Sequence, residues 1–401
     1  MNARNLHQET LNVIGGYEKV TAGEYRSLAP PLFQTASHPL DSAEAGQRIY
    51  DPKDPYMDFV YTRRNNPTND ILEKRMALIE GGEAGLVTSS GMAAIFTVAA
   101  SLLQQGGECV ISNRVYLRCY DLFMRTFARF GVTAHVVDDP TDMGEWQEKI
   151  HEGVRFAYIE TPSNPGLVIT DIRRLCDIAG KHGVPVIVDN TLATPVSQKP
   201  LELGATVVIE SLSKYISGNA TMLGGALVTN KAWVDELRRT DYVNCGTAPS
   251  PFNSWLCLLG LETLHLRMTR HSENGMKVAR FLEDHPKVAR VNFPGLPSHP
   301  QHELAREQMN GLYGGLLSFS LKDERMESAF SFLNSLQLIV IAIHESAARS
   351  IVTHPPSTNF AELTDEEMRK AQISKSLIRL SVGLEHIDDL LADIDAALMR
   401  I

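Results

Sequence analysis

Short apolar runs and amphipathic stretches take turns along most of this chain. Asp70 to Glu80 places Ile71, Leu72, Met76 and Ile79 at helical spacing, which predicts a helix. Gly85 to Thr88 reads as a strand, Met92 to Gln104 as an apolar helix and Cys109-Val110-Ile111 as a second strand. A helix over Tyr120 to Phe130, a strand over Val132 to Val137 and a strand from Phe156 to Ile159, ending at Glu160, continue the series. Ile172 to His182 reads as a helix. Two apolar runs follow: Val184 to Val188 ends at Asp189, and Val207-Val208-Ile209 leads through Glu210 to Lys214. Gly225 to Thr229 reads as a return strand. Strands alternating with helices predict a mostly parallel sheet covered on both faces. Such sheets bind ligands at the carboxyl ends of their strands, where Glu160, Asp189 and Lys214 fall.

The flanks read differently. Residues 1–64 lack a period and contain prolines at 30, 31, 39, 52 and 55. With Tyr50, Tyr56, Phe59 and Tyr61, this stretch predicts an arm that wraps another lobe or another subunit. After residue 262 a long helix over Leu261 to Asp284 precedes strand-like segments at Val288–Asn292, Gly315–Leu321, Leu336–Ile343 and Leu377–Val382. Acidic helices are expected between them, and a helix over Asp388 to Met399 closes the chain. The expected division is an arm (1–64), an α/β domain (65–262) and a smaller α+β domain (263–401).

Composition narrows the class. The chain has 401 residues, 43% hydrophobic and 21% charged, as in ordinary globular proteins. A net charge of −10 argues against a nucleic-acid surface. No apolar run reaches the roughly 18 residues of a membrane span. The first residues lack the apolar core of a signal peptide. Five cysteines without a C-x-x-C pair predict reduced thiols in a cytoplasmic protein, with neither a disulfide frame nor a metal site.

The candidate chemistry lies at the strand ends. A lysine there can form a Schiff base with an aldehyde cofactor, and Ser211 and Ser213 beside it can hold a phosphate. Asp189, ending the preceding run, can keep a pyridine nitrogen protonated. The pair suits pyridoxal 5'-phosphate. Ser90-Gly91-Met92 opens an apolar helix, where backbone N–H groups can bind phosphate and Ser90 alternatively serves as a plain N-cap. Arg379 sits inside the apolar run Ile378 to Val382, so it needs an anionic partner.

These residues occur within motifs that resemble the cysteine/methionine-metabolism family of pyridoxal-phosphate enzymes. The motifs are Tyr61-Thr62-Arg63-Arg64-Asn65-Asn66-Pro67-Thr68, Ser90-Gly91-Met92, Glu160-Thr161-Pro162-Ser163-Asn164-Pro165, Asp189-Asn190-Thr191 and Ser211-Leu212-Ser213-Lys214-Tyr215. The family includes methionine γ-lyase, cystathionine γ-lyase, cystathionine β-lyase, cystathionine γ-synthase and the homoserine-ester sulfhydrylases. The resemblance implies the aminotransferase-like fold (fold type I), an α/β architecture around a mostly parallel seven-stranded sheet. It implies Lys214 as the Schiff-base lysine and Asp189 as partner of the ring nitrogen. The phosphate would rest on Ser90, Gly91, Met92, Ser211 and Ser213. Tyr61 and Arg63 would reach the cofactor phosphate of a neighbouring subunit, in a homotetramer built from active dimers. Tyr116 would stack on the cofactor ring and protonate the leaving group, and Asn164 would bond the ring hydroxyl. Arg379 would hold the α-carboxylate of an amino-acid substrate, and Glu160 would stand behind the site or simply be buried and paired. The implied activity is elimination of a γ-substituent. Replacement at the γ carbon and β-elimination are the alternatives.

Three stretches depart from the family. Leu117 and Arg118 follow Tyr116 where small residues are usual. Asn219-Ala220-Thr221 replaces histidine, a small residue and aspartate. His344-Glu345-Ser346 replaces Ser-Leu-Gly, whose serine helps seat the substrate carboxylate. Arg118, His344 and Glu345 suit a polar or charged γ-substituent better than a thioether. Canavanine is one such substrate.

Overall fold

The computed structural model describes residues 6–17, 27–51, 58–364, 366, 368, 371 and 373–401. Pro52, Pro55 and Tyr56 of the expected arm lie outside them. The seven strands of the large sheet are β1 (Ala84–Thr88), β2 (Glu108–Ser112), β3 (Thr133–Val137), β4 (Val154–Glu160), β5 (Val186–Asp189), β6 (Val207–Glu210) and β7 (Gly225–Thr229). Their order is β1-β7-β6-β5-β4-β2-β3. β2 to β6 pair in parallel, and only β7 runs against its neighbours β6 and β1.

Side-chain alternation explains the unbroken apolar strands. Phe156 and Tyr158 face one core, with Ile187, Ile209 and helix residues Ala94, Ile95 and Val98. Ala157 and Ile159 face the other, with Val186, Val188 and Ile172, Leu175 and Ile178 of the helix Ile172–Gly180. Because both faces are buried, the polar residues that end β4, β5 and β6 are gathered along one rim.

A second sheet contains β8 (Val288–Asn292), β9 (Leu316–Leu321), β10 (Val340–Ile341), β11 (Ile351–Thr353) and β12 (Leu377–Ser381) in the order β10-β11-β12-β9-β8. It packs on the helices Leu264–Asp284, Met326–Ser335 and Ile387–Leu398 through Val278, Leu282, Phe319, Phe332, Leu380 and Ile394.

Several expectations are corrected. The N-terminal stretch is not wholly irregular, since Gln8–Ile14 and Ala43–Tyr50 are helical. The segment read as one helix over Tyr120 to Phe130 is an α-helix Leu117–Asp121, a π-turn Leu122–Thr126 and a 3₁₀ turn Phe127–Phe130. The wider π-turn lets Cys119, Phe123 and Phe127 all reach one core. The long helix expected over Leu261–Asp284 is present as Leu264–Asp284, and a separate helix with no expectation, Pro251–Leu261, precedes it. At their junction Arg267 donates to the carbonyls of Gly260 (2.8 Å), Tyr215 (2.5 Å) and Ile216 (3.1 Å), which anchors the turn after Lys214. The strand read as Leu336–Ile343 shrinks to β10, and the strand β11 had no expectation. Ile341 and Ile343 are exposed, so their apolar run does not mark a core. Among the described residues, the helices His302–Gln308 and Met326–Ser335 between the small-sheet strands are mildly acidic, and Asp365 and Glu367 of the acidic stretch before β12 lie outside those residues.

Candidate active site

The rim of the large sheet lines a cavity of about 240 Å³. On one side the helix Gly91–Leu102 starts, its Ala93 N–H donating to Ser90 Oγ at 3.1 Å. Gly91 permits close approach: a Cβ there would lie 2.9 Å from Ser211 Cβ. The first N–H groups of this helix, which have no partner within it, thus face the end of β6. Ser213 shares its hydroxyl with the Gly224 backbone, accepting from the N–H at 3.1 Å.

Asp189 closes the other side. It is in register with Glu160 on β4, and Tyr158 lies two residues back on the same face. Tyr158 donates to Asp189 Oδ2 at 3.2 Å, and the Thr191 N–H to Oδ1 at 3.1 Å. Burial pushes the Asp189 carboxyl up, and the Thr191 and Tyr158 bonds pull against it. Such a carboxylate suits a cationic ring nitrogen, which would supply the missing charge. Thr191 also accepts the Ser211 N–H at 2.8 Å, tying both walls together. The cavity therefore offers an N–H-rich helix start at one end, an aspartate at the other and Lys214 between, which fits pyridoxal phosphate.

Glu160 acts through the backbone. It accepts the Tyr116 N–H at 2.6 Å and the Asn164 N–H at 2.9 Å, fixing both residues against the cavity. Burial beside Asp189 pushes its carboxyl well up. Tyr116 is 40% exposed at the start of the helix Leu117–Asp121. Burial, then the Glu345 charge, raises its phenol.

Arg379, on β12, is 2% exposed. It donates to Asn164 Oδ1 at 3.1 Å and to the His344 carbonyl at 3.2 Å. Its anionic partner is Glu345 Oε2 at 3.0 Å, and Glu345 Oε1 lies 2.6 Å from Lys214 Nζ. Burial would raise the Glu345 carboxyl, but Arg379 and Lys214 hold it down at about 2. His344 also lines the cavity. Burial and the Lys214 charge lower its imidazole.

The residues named from sequence divide as follows. Ser90, Gly91, Met92, Tyr116, Asn164, Asp189, Ser211, Ser213, Lys214, His344 and Glu345 line one cavity, and Arg379 stands directly behind Glu345. Arg118 is corrected: it turns to Asp121 (2.9 Å) and Glu362 (3.5 Å) and does not line the cavity. Asn219, Ala220 and Thr221 are exposed, and Thr221 donates to Asn219 at 2.6 Å. Tyr61 and Arg63 lie together in an open groove, guanidinium over ring at 5.4 Å, outside the cavity of their own chain.

Sequence reasoning missed Tyr158, Thr191 and the pair Glu80 and Glu210. The position of Tyr158 two residues before Glu160 was the available signal. Glu80 and Glu210 are 0% and 1% exposed and face one another under the rim. No metal site was expected. Glu108, His135 and His151 do converge at the opposite end of β2 and β3. There the Gly153 N–H donates to His151 Nδ1, so the ring proton sits on the Nε2 that faces Glu108. They form a hydrogen-bonded cluster.

The sequence model for "Cys/Met metabolism PLP-dependent enzyme" matches residues 9–399. An L-methionine γ-lyase of Fusobacterium nucleatum subsp. polymorphum is 38% identical over 94% of this chain and 95% of its own length. An O-acetyl-L-homoserine sulfhydrylase of Leptospira meyeri is 34% identical over 99% of this chain and 98% of its own. A Campylobacter jejuni structure assigned as an O-acetylhomoserine (thiol)-lyase superposes with a TM-score of 0.94 at 33% identity, covering 98% of this chain and 100% of that one. It carries a pyridoxyl-lysine phosphate. With a cavity that fits the cofactor, and with a family match running nearly from end to end, this chain belongs to the Cys/Met-metabolism family of PLP-dependent enzymes.

Proposed function

We propose that this enzyme eliminates the γ-substituent of an L-amino acid, and that the substituent is polar and cationic, as in canavanine. Its relatives include γ-lyases and homoserine-ester sulfhydrylases, which supports chemistry at the γ carbon. The observation that carries the substrate reading is Glu345, a buried carboxylate in the cavity wall beside Lys214 and Tyr116. An ionised carboxylate repels the apolar tail of a thioether and attracts a cation.

The bound cofactor supplies an aldehyde for the substrate amine and a sink for electrons. The residues of the chain do the rest. The helix start at Ser90 to Met92, with Ser211 and Ser213, would hold the phosphate. Asp189, fixed by Thr191 and Tyr158, would hold the ring nitrogen's proton. Arg379 would bind the α-carboxylate bidentately. Lys214 would move the proton at Cα, and Tyr116 would give one to the departing group. Tyr61 and Arg63, outside their own cavity, would complete the phosphate site of a neighbouring subunit in a tetramer of active dimers.

The test is a product assay on cofactor-loaded protein without added thiol. Methionine, cystathionine, O-acetylhomoserine and canavanine are offered, and 2-oxo acid, homoserine and the released group are quantified. Canavanine cleavage with idle thioethers is expected. Rapid 2-oxobutanoate from methionine would overturn the substrate reading. The sulfhydrylase relative supports a second reading, γ-replacement, which would show as an absolute need for a thiol.

A further inference from the structure

We infer that Glu345 holds the Arg379 guanidinium while no amino acid is bound, yields it to the substrate's α-carboxylate, and turns to a guanidinium-class cation on the γ-substituent. This rests on the reading above that the γ-substituent is cationic.

The buried guanidinium of Arg379 needs an anion at all times. In the structure that anion is part of the chain: Glu345 Oε2 at 3.0 Å. The remaining contacts of Arg379, Asn164 Oδ1 and the His344 carbonyl, are neutral acceptors. An incoming α-carboxylate therefore competes with Glu345 for the same guanidinium. Once displaced, the Glu345 carboxylate stands in a buried wall and needs a new cation. Lys214 Nζ pairs with it at 2.6 Å, but that nitrogen is the one the cofactor aldehyde engages. A neutral side chain offers no replacement, so the carboxylate must stay unpaired or take up a proton, and either costs binding energy. A planar guanidinium restores the pair with two parallel hydrogen bonds.

The backbone around Glu345 supports a fixed hinge for a swinging side chain. Ser346 adopts φ of 67°, a conformation that non-glycine residues rarely take. Its N–H donates to Ser381 Oγ at 2.7 Å, and the Ala348 N–H donates to the Gly218 carbonyl at 2.8 Å. The loop is thus pinned just after Glu345, at Ser346 to the strand of Arg379 and at Ala348 to the turn that follows Lys214. Glu345 acts as a filter against amino acids with neutral γ-substituents.

The test is calorimetric titration of the holoenzyme with L-arginine and L-citrulline. They differ in charge at nearly constant shape, and neither carries a heteroatom on Cγ to be expelled. Wild type should bind arginine roughly tenfold or more tighter than citrulline. Glu345→Gln should bring that ratio close to one, weakening arginine and tightening citrulline together. Glu345→Leu repeats the measurement if the glutamine variant does not retain cofactor. A wild-type ratio near one would overturn the inference, as would variants in which both affinities fall in parallel, the sign of a structural role. Canavanine turnover is scored separately. If the ratio follows Glu345 but canavanine is not cleaved, the leaving-group reading fails and the exchange stands. If canavanine is cleaved and the ratio ignores Glu345, the exchange alone fails.

Discussion

Removing one member of the Arg379–Glu345 pair should destabilise the protein more than removing both. Arg379→Met leaves Glu345 in a buried wall with Lys214 as its remaining cation. Glu345→Leu leaves a guanidinium that is 2% exposed with neutral acceptors alone. Breaking a buried pair from one side costs about 3–5 kcal/mol, because the other charge stays desolvated. Lys214 and the two carbonyl acceptors soften each loss, so about 3 kcal/mol per single substitution is the reasoned magnitude. In the double variant neither charge is buried, and the remaining cost is repacking, about 1–2 kcal/mol. The coupling energy should therefore be about 4–5 kcal/mol. Equilibrium urea unfolding of the cofactor-free protein, followed by circular dichroism in all four forms, measures it. A double variant as unstable as the sum of the singles would refute the claim that the two charges are held by one another.

Other outcomes follow from the same geometry. Lys214→Ala should fold but retain no cofactor after borohydride reduction, whereas peptide mapping of wild type should find the reduced adduct on the Lys214 peptide. Burial raises the Glu80 carboxyl to about 7 against the Glu210 hydrogen bond and the Lys199 charge, which lower it, so the folded protein keeps a proton that the unfolded chain releases above about pH 4.3. Stability should thus fall as pH rises from about 5 through 7, and thermal melts of Glu80→Gln should show a flatter profile over that window. Arg118→Ala should change kcat/KM by less than about twofold, because that guanidinium is exposed and spent on Asp121 and Glu362.

The parts of the site legible in the sequence share one physical signature. Asp189, Lys214 and Glu160 each follow an apolar run that buries both faces of a strand, and a polar residue there has nowhere to go but the rim. Arg379 was legible in half: an arginine in an apolar strand demands an anion, but nothing in the local pattern says where the anion comes from. It comes from the segment between β10 and β11, around whose start apolar Ile341, the last residue of β10, and Ile343 are exposed and periodicity carries no information. Arg118 shows the opposite failure. It is two residues from Tyr116, and nearness in sequence suggested nearness to the substrate. Tyr116 starts a helix, and two residues along a helix turn a side chain through about 200°. The carboxylate of Asp121, three residues on, then captures it.

That contrast bears on how the pocket was altered. Of the three departures from the family's pattern, one is spent on a surface ion pair and one lies in an exposed turn. The third puts a full negative charge between buried Arg379 and Lys214, the lysine proposed to carry the chemistry. A charge in that position cannot be neutral in its effect. It competes with substrate for Arg379, and while Arg379 and Lys214 pair with it they hold its carboxyl down at about 2. Under the proposed function, a cation on the substrate compensates that charge. The proposed leaving group rests on what Glu345 requires, a point on which the names of relatives are silent.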